Sequence, residues 1–89
     1  MRYPVAIEIG SDAYAYGVVF PDLPGCVSAG DTLDEAMTNA EEAVADWMET
    51  LLRKGGTVPV PSRLEAVRTD PEYAGWVLGV VSVDLTGCT

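Results

Sequence analysis

Two segments near the start of the chain alternate between apolar and polar or small residues. The first segment is apolar at every second position, at Tyr3, Val5, Ile7 and Ile9. The second segment, residues 14–20, carries its bulky side chains at Tyr14, Tyr16, Val18 and Phe20. A period of two is typical of β-strands with one buried face. Because the turn residues 10–12 (Gly-Ser-Asp) separate the segments, the pattern predicts a β-hairpin.

A short strand and a long helix are predicted next. Pro21 and Pro24 end the pairing of the second strand, and residues 26–29 form a short third strand. Apolar residues then recur at helical spacing, at Leu33, Ala36, Met37, Ala40, Val44, Trp47, Met48 and Leu51. Thr32 and Glu35 have the spacing of a capping box, and the glycines at 55 and 56 can end the helix. The pattern therefore predicts a helix over residues 33–54.

The last third of the chain predicts a linker, a short helical turn and a final strand. Residues 57–62 (TVPVPS) are extended because their prolines exclude a helix. Residues 64–68 form the helical turn. Residues 76–83 (WVLGVVSV) are β-rich and apolar at both odd and even positions, which predicts a strand that is buried on both faces or lies inside a sheet. The order βββαβ makes one α/β (α+β) domain.

The charge balance narrows the function classes. The 89 residues hold 5 Lys plus Arg, 14 Asp plus Glu and no His, for a net charge of −9. This balance disfavours contact with nucleic acid or an anionic membrane and favours a basic partner. The acid at Glu8 interrupts any signal-peptide core, and the apolar run at residues 76–81 is too short to span a membrane. We therefore expect a cytoplasmic protein.

Few residues are candidates for catalysis or metal binding. The chain has no His, the side chain that most often acts as a general base. Its two cysteines, Cys26 and Cys88, are too few for a zinc site or a disulfide scaffold. We interpret Cys26 as a small buried strand residue. Asp22, Asp31 and Asp84 lie at strand ends and are the plausible convergent set for Mg²⁺, but solvated surface explains them better. The sequence predicts no catalytic, metal or cofactor-binding residue, no cofactor and no enzymatic activity.

One long motif carries a family resemblance. Residues 20–36 read FPDLPGCVSAGDTLDEA and are followed by an acidic, alanine-rich helix and a G-x-x-x-P-x-P-S tail at residues 55–62. This pattern resembles the HicB-like antitoxin family over nearly the whole chain. The resemblance implies a partial RNase H-like fold, with a mixed sheet of order 3-2-1-4, the long helix on one face and the last strand parallel to the first. That likeness concerns topology only, without a catalytic carboxylate set.

The resemblance also implies a partner and a domain organisation. Such antitoxins neutralise HicA toxins, small basic proteins that cleave mRNA with a histidine, by covering the toxin's RNA-binding and catalytic surface. Most family members add a C-terminal DNA-binding module, whereas this sequence stops at Thr89. We expect residues 1–89 to be one HicB-like domain without that module, and the alternatives of a natural single-domain form and a fragment stay open. A free-standing interaction domain and a Mg²⁺-dependent nuclease are the alternative functions.

Two surfaces are candidates for binding partners. The acids expected to meet a basic toxin flank or lie on the helix, at Asp31, Asp34, Glu35, Glu41, Glu42 and Glu49. In the second strand the bulky even positions should face the helix, which leaves a flat apolar face at Ala15, Gly17 and Val19. We expect a homodimer or tetramer that uses this face or a sheet edge. Five dispersed cations make no basic patch, so we expect the domain alone not to bind nucleic acid.

Overall fold

The fold is a four-stranded sheet with one long helix across one face. The computed structural model describes residues 1–84. The strands are β1 (Arg2–Glu8), β2 (Tyr16–Val19), β3 (Val27–Gly30) and β4 (Val77–Ser82). The helices are α1 (Leu33–Arg53) and α2 (Leu64–Arg68), with a 3-10 turn (Pro71–Tyr73) before β4. The predicted order of elements and the implied strand order β3-β2-β1-β4 are confirmed.

The direction of the last strand differs from the expectation. All three strand pairs are antiparallel, so the sheet is not mixed, and the implied parallel pairing of the last strand with the first is wrong. The linker explains the difference. Tyr3 Oη donates to the carbonyl oxygen of Pro59 at 2.5 Å, so the linker passes the end of the sheet where β1 begins. Helix α2 and the 3-10 turn then carry the chain to the opposite end, and β4 enters with Val77 opposite Ile7.

Helix α1 follows the predicted bounds to within one residue because both ends are capped. Thr32 Oγ1 accepts a hydrogen bond from the Glu35 N–H at 3.0 Å, as the capping box predicts. At the other end Gly55 has φ of +75°, and its N–H donates to the Leu52 carbonyl oxygen. Among residues 1–84, no helix is both long enough and apolar enough to cross a membrane.

The main core lies between α1 and one face of the sheet. Its strand side is formed by the odd-numbered residues Tyr3, Val5 and Ile7 of β1, by Val18 of β2 and by Phe20. Its helix side is a stripe of residues four positions apart: Ala36, Ala40, Val44 and Met48. Phe20, just after β2, is 1% exposed, and Tyr16 packs against the core from one side. The prediction that the even face of the second strand meets the helix is therefore confirmed. Tyr14 lies before β2 and is 77% exposed, so it does not belong to this face.

Among residues 1–84, helix α2 covers the opposite face of the sheet over β1 and β4. Val67 of α2 is buried, and Leu64 lines a cleft together with Pro4 and Val80. Strand β4 is an edge strand, and Val80 is 46% exposed. The prediction of a strand that is buried on both faces or lies inside a sheet is thus wrong. Its apolar side chains contact the main core on one face and, within the described part of the chain, the short α2 on the other.

Candidate partner-binding surfaces

The acidic side chains of α1 form an outward surface along the helix. We call Asp34, Glu35, Glu41, Glu42 and Glu49 the acidic helix face. All five are exposed, because the helical period that buries the stripe spaced by four turns these positions to solvent. Glu35, Glu42 and Glu49 are seven residues apart, which places them in one row with about 10 Å between neighbours. The arrangement is a linear array of negative charge.

The carboxylates of the acidic helix face differ in their local pairing. Glu49 Oε1 accepts a hydrogen bond from Arg53 Nη2 at 2.5 Å, one turn further along the helix. Among residues 1–84, no cation forms a salt bridge with the other four. An exposed ion pair contributes little to stability, but it offsets the charge that Glu49 presents to a partner. The four acids Asp34, Glu35, Glu41 and Glu42 therefore carry the stronger attraction for a basic surface.

Asp31 is exposed but stands apart from the helix row. It follows β3 and lines a small polar cleft with the turn at residues 11–14. Its neighbour Thr32 caps α1, so Asp31 lies just ahead of the helix N-terminus. Six acids were predicted as one partner-binding set. The structure aligns five of them along α1 and leaves Asp31 at one end.

The acids considered for Mg²⁺ do not converge. Asp22 follows β2 and accepts two hydrogen bonds from Ser62, from its backbone N–H at 2.8 Å and from its hydroxyl at 2.5 Å. Asp31 follows β3, which runs antiparallel to β2, so Asp22 and Asp31 lie at opposite ends of the sheet. Over residues 1–84 no three Asp, Glu, Cys or His side chains are grouped to hold a metal. Asp22 instead fastens the linker to the turn after β2.

An apolar cleft beside the sequence motif was not predicted. It has a volume of about 450 Å³ and lies between residues 25–27 and the second half of α1, where Ala43, Trp47 and Leu51 line it. Trp47 Nε1 donates to the Pro24 carbonyl oxygen at 3.0 Å, which fixes the indole against the turn. Trp47 was interpreted as core, and it does pack against the core from a half-buried position. The spacing of 43, 47 and 51 by four, beside the buried stripe, was the available signal.

The turn in the motif is built for a sharp change of direction. Leu23 N–H donates to the Phe20 carbonyl oxygen at 3.0 Å, and Cys26 N–H donates to the Leu23 carbonyl oxygen at 2.9 Å. Gly25 has φ of +82°, a left-handed conformation that a side chain would strain. Leu23 is fully buried, so the turn also contributes to the core. These residues shape the fold and position the apolar cleft.

Cys26 is a buried thiol without a base. It is 2% exposed, and burial raises the pKa of its thiol to about 11. A thiol with this pKa stays protonated at neutral pH, which argues against a nucleophile. Cys26 lies one residue before β3, so its interpretation as a small buried residue is confirmed, although it is not in the strand. The other cysteine, Cys88, lies outside the described residues.

We expect Cys26 to react slowly with iodoacetamide in the folded protein. In a Cys88→Ser variant, where Cys26 is the remaining thiol, the native alkylation rate should stay low at pH 8 and rise above pH 10. The pKa of the Cys26 thiol is higher in the folded than in the unfolded protein, so burial of the neutral thiol stabilises the fold. This contribution is fully present below the unfolded pKa near 9 and is lost as the pH rises toward about 11. Alkylation followed by mass spectrometry, with urea-unfolded protein as control, measures this. Equal rates in the folded and unfolded protein would contradict the burial argument.

The flat sheet face predicted for self-association is partly present. Gly17 and Val19 lie on the face opposite α1 and are half-buried, and Ala15 is exposed just before β2. Register places Ala29 beside Gly17 and Val27 beside Val19 on this face, and Val27 is 56% exposed. Helix α2 contacts β1 and β4, so β2 and β3 supply the more open half of this face.

Comparison with known proteins assigns the family. A family model described as the HicB-like antitoxin of bacterial toxin–antitoxin systems matches residues 3–89. The chain belongs to the HicB-like antitoxin family. This HicB-like chain is 45% identical over 86 residues to a 14.9 kDa protein of the rep–hol intergenic region of Haemophilus phage HP1. The match covers 97% of the chain but 63% of that relative, so the chain spans less than two thirds of the relative's length.

Solved structures of HicB proteins share the fold of this HicB-like chain. The crystal structure of the N-terminal domain of Burkholderia pseudomallei antitoxin HicB has a TM-score of 0.81 and 42% identity, covering 96% of this chain and 100% of that one. A chain of the HicA3–HicB3 toxin–antitoxin complex has a TM-score of 0.78 and 34% identity, covering 94% of this chain and 99% of that one. The resemblance found in the motif is thus confirmed over the whole fold.

Proposed function

We propose that this protein is an antitoxin that binds a cognate, basic HicA-like toxin and neutralises it without chemistry of its own. The toxin's RNA-binding and catalytic surface is covered, so mRNA is excluded. Family membership and the likeness to a chain of a HicA–HicB complex support an antitoxin role. The observation that carries the docking mode is the acidic helix face, where four exposed carboxylates have no salt-bridge partner among residues 1–84.

Electrostatics explains how such a surface selects its partner. A protein that grips RNA presents Lys and Arg where phosphates bind. Carboxylates spaced along a helix can occupy those positions, and the opposite charges steer the two proteins together before contact. The apolar cleft beside Trp47 is adjacent to α1 and offers an apolar anchor that slows dissociation. In this proposal the acids set the association rate and the apolar contact sets the residence time.

A charge reversal at matched net charge tests the docking surface. The test variant replaces Asp34, Glu35, Glu41 and Glu42 by Lys, and the control replaces four exposed acids outside α1, Glu8, Asp12, Glu65 and Glu72. Each reversal adds two positive units, so both variants move the net charge from −9 to −1. We expect the test variant to bind toxin with an on-rate at least about tenfold lower and to fail to protect cells, because steering depends on where the charge lies.

The measurement is surface plasmon resonance with the toxin encoded in the neighbouring reading frame, together with growth rescue. The parent on-rate should fall steeply between low and high salt, whereas dissociation should stay slow. The control variant should keep most of the binding, and circular dichroism should show both variants folded. If the α1 variant protects cells as well as the parent does, the acidic helix face is not the docking surface.

The alternative functions predict different results. A free-standing interaction domain would have no short basic, His-containing protein encoded beside it. A nuclease would need Mg²⁺ and would lose activity with Asp22, Asp31 or Asp84 changed to Asn. However, Asp22 accepts two hydrogen bonds from Ser62, and Asp22 and Asp31 lie at opposite ends of the sheet.

We also propose that the protein acts in the cytoplasm, that the domain alone does not bind nucleic acid, and that it self-associates through the face at Ala15, Gly17 and Val19 or through a sheet edge.

A further inference from the structure

A groove runs between the edge strand β3 and one side of α1. Asn39, Ala43, Trp47 and Thr50 share this side of the helix, because residues three or four positions apart are neighbours on a helix surface. Asn39 marks one end of the groove, where its Nδ2 donates to the Ala29 carbonyl oxygen at 2.8 Å. The apolar cleft of about 450 Å³ forms the other end, beside the turn that precedes β3. The groove therefore has strand backbone on one wall and a helix on the other.

The β3 wall of the groove presents free backbone groups at Val27. The Phe20 N–H donates to the Cys26 carbonyl oxygen at 3.1 Å, and the next hydrogen-bonded pair of the ladder is Val18 with Ser28. Val27 lies between these pairs, so its N–H and carbonyl oxygen point away from β2 and toward the groove. Within residues 1–84 neither group has a hydrogen-bond partner. The main chain of Val27 can therefore pair with one residue of an added strand.

The cleft at the end of the groove suits one large apolar side chain. It is lined by Ala43, Leu51 and the indole of Trp47, which the hydrogen bond to the Pro24 carbonyl oxygen holds in place. Because this bond lies within the chain, the cleft is formed before any partner arrives, and binding does not have to order it. Side chains of a strand alternate between the two faces of a sheet. In an antiparallel strand added to β3, the residue beside the one paired with Val27 therefore points to the α1 face and reaches the cleft.

We propose that this groove takes an extended segment of the toxin, which adds to β3 as a fifth, antiparallel strand. One residue of the segment exchanges both backbone hydrogen bonds with Val27. The residue beside it places a large apolar side chain against Trp47, and a neighbouring Lys or Arg meets Asp46. This inference rests on the proposed antitoxin function and assigns its apolar anchor to one strand-forming segment of the toxin.

Charge selects a basic segment over a second copy of this chain. Asp46 lines the cleft, is exposed and, in the part of the chain that the structure describes, forms no salt bridge. Glu42 and Glu49 are its neighbours on the helix, four positions before and three after, so the outer bank of the groove is acidic. Lys54 lies two turns away, about 12 Å along the axis, so the basic side chain is expected at the Asp46 end. A second chain of charge −9 is repelled here.

The β4 edge, as far as residues 1–84 show, has no long helix beside it. Met1 and Val83 exchange two hydrogen bonds, from Met1 N to the Val83 carbonyl oxygen at 3.0 Å and from Val83 N to the Met1 carbonyl oxygen at 2.7 Å. These bonds hold the end of β4 against β1. Helix α1 lies over β3 and β2, and α2, which contacts β4, spans five residues. A strand added at β4 would therefore meet neither the Trp47 cleft nor the acids of α1.

A proline at Val27 tests the backbone contact. Val27→Pro removes the outward N–H but no ladder bond to β2, and proline is tolerated at the first residue of a strand. The control, Val27→Thr, keeps both the N–H and the β-branched shape. By surface plasmon resonance we expect the proline variant to dissociate from the toxin about tenfold faster than the parent, the effect of losing one hydrogen bond. The threonine control should dissociate at the rate of the parent.

A tryptophan at Thr50 tests the cleft. Thr50 is exposed and lines the cleft, so Thr50→Trp fills the space that the toxin's apolar side chain would occupy. The matched control is Thr57→Trp, the same change at an exposed linker position that does not line the cleft. We expect the affinity of Thr50→Trp for the toxin to fall at least about tenfold, because an anchor side chain carries much of the binding energy. Thr57→Trp should bind like the parent, and circular dichroism should show all variants folded.

Amide hydrogen exchange locates the contact directly. The Val27 amide should exchange fast in the free protein, because it is unbonded, and at least about tenfold more slowly in the complex. An unchanged exchange rate in the complex, or parent-like toxin binding by folded Val27→Pro or Thr50→Trp, overturns the groove and leaves the antitoxin function standing. Protection of Val27 without toxin also overturns it, in favour of a second copy. If Val27→Pro does not fold, Thr50→Trp and the exchange rate decide, and a parent that binds no toxin overturns both proposals.

Discussion

Replacing Phe20 by alanine is expected to lower the free energy of unfolding by about 3–5 kcal/mol. The ring is 1% exposed and packs in the main core at the point where β2 leads into the turn of the motif. The backbone of Phe20 is held on both sides, since its N–H donates to the Cys26 carbonyl oxygen and its own carbonyl accepts from Leu23. The turn therefore cannot collapse to fill the space. A loss of this size is a large part of the roughly 5–15 kcal/mol that stabilises a small domain.

Urea denaturation followed by tryptophan fluorescence measures the effect, and Tyr14→Ala is the control. Tyr14 is also aromatic and, like Phe20, occupies an even-numbered position of the alternating segment, but it is 77% exposed. Its truncation should change the free energy of unfolding by no more than about 0.5 kcal/mol. Equal losses in the two variants would mean that the core does not lie where the structure places it.

Replacing Gly30 by alanine is expected to be the second strongly destabilising change, with a loss of about 3 kcal/mol. A Cβ at this position would lie 2.5 Å from the Ala36 nitrogen and 2.9 Å from the Glu35 carbonyl carbon. Both atoms belong to the backbone of the first turns of α1, so no flexible side chain can move aside. The helix would have to shift away from β3 and lose contact along the buried stripe.

Gly17→Ala is the matched control for Gly30→Ala. Gly17 also lies in a strand, but an added Cβ would meet its nearest atom, Glu8 Cβ, at 3.8 Å, which is ordinary contact. We expect the control to keep or slightly raise the midpoint of thermal unfolding, because alanine restricts the unfolded chain more than glycine does. An unchanged midpoint for Gly30→Ala would show that α1 can move off β3 without cost.

The elements were predictable from local pattern because each has a strong local signal. Helix α1 has a buried stripe, a threonine cap and a glycine end within one continuous segment, and the bounds differ from the prediction by one residue. The direction of β4 had no such signal. It depends on the contact of Tyr3 with Pro59, 56 positions away, which holds the linker at the start of β1. Periodicity assigns an element type, whereas direction depends on long-range contacts of this kind.

The candidate surfaces were predictable only in part for a similar reason. The acids of α1 were identified because helical spacing alone turns them outward. The spacing of four between Glu49 and Arg53 is the sequence signal for their ion pair, which makes Glu49 a weaker candidate than its neighbours on the helix. The apolar cleft at Trp47 needs the turn near Pro24 to lie against the second half of α1, 23 positions along the chain. The open edge of β4 likewise depends on which strand is central, and apolar composition does not reveal that.

The contact between Met1 and Val83 also constrains how the chain folds as it is synthesised. It joins residues 82 positions apart, and β1 receives β4 as its second neighbour only when that last strand has emerged. The hairpin of β1 and β2 and the packing of α1 on β3 involve closer segments and can form while translation continues. Until then the odd residues of β1 expose a row of unpaired backbone groups. A nascent or truncated chain that ends before β4 therefore carries an open central strand, which makes it a target for aggregation or capture by a chaperone.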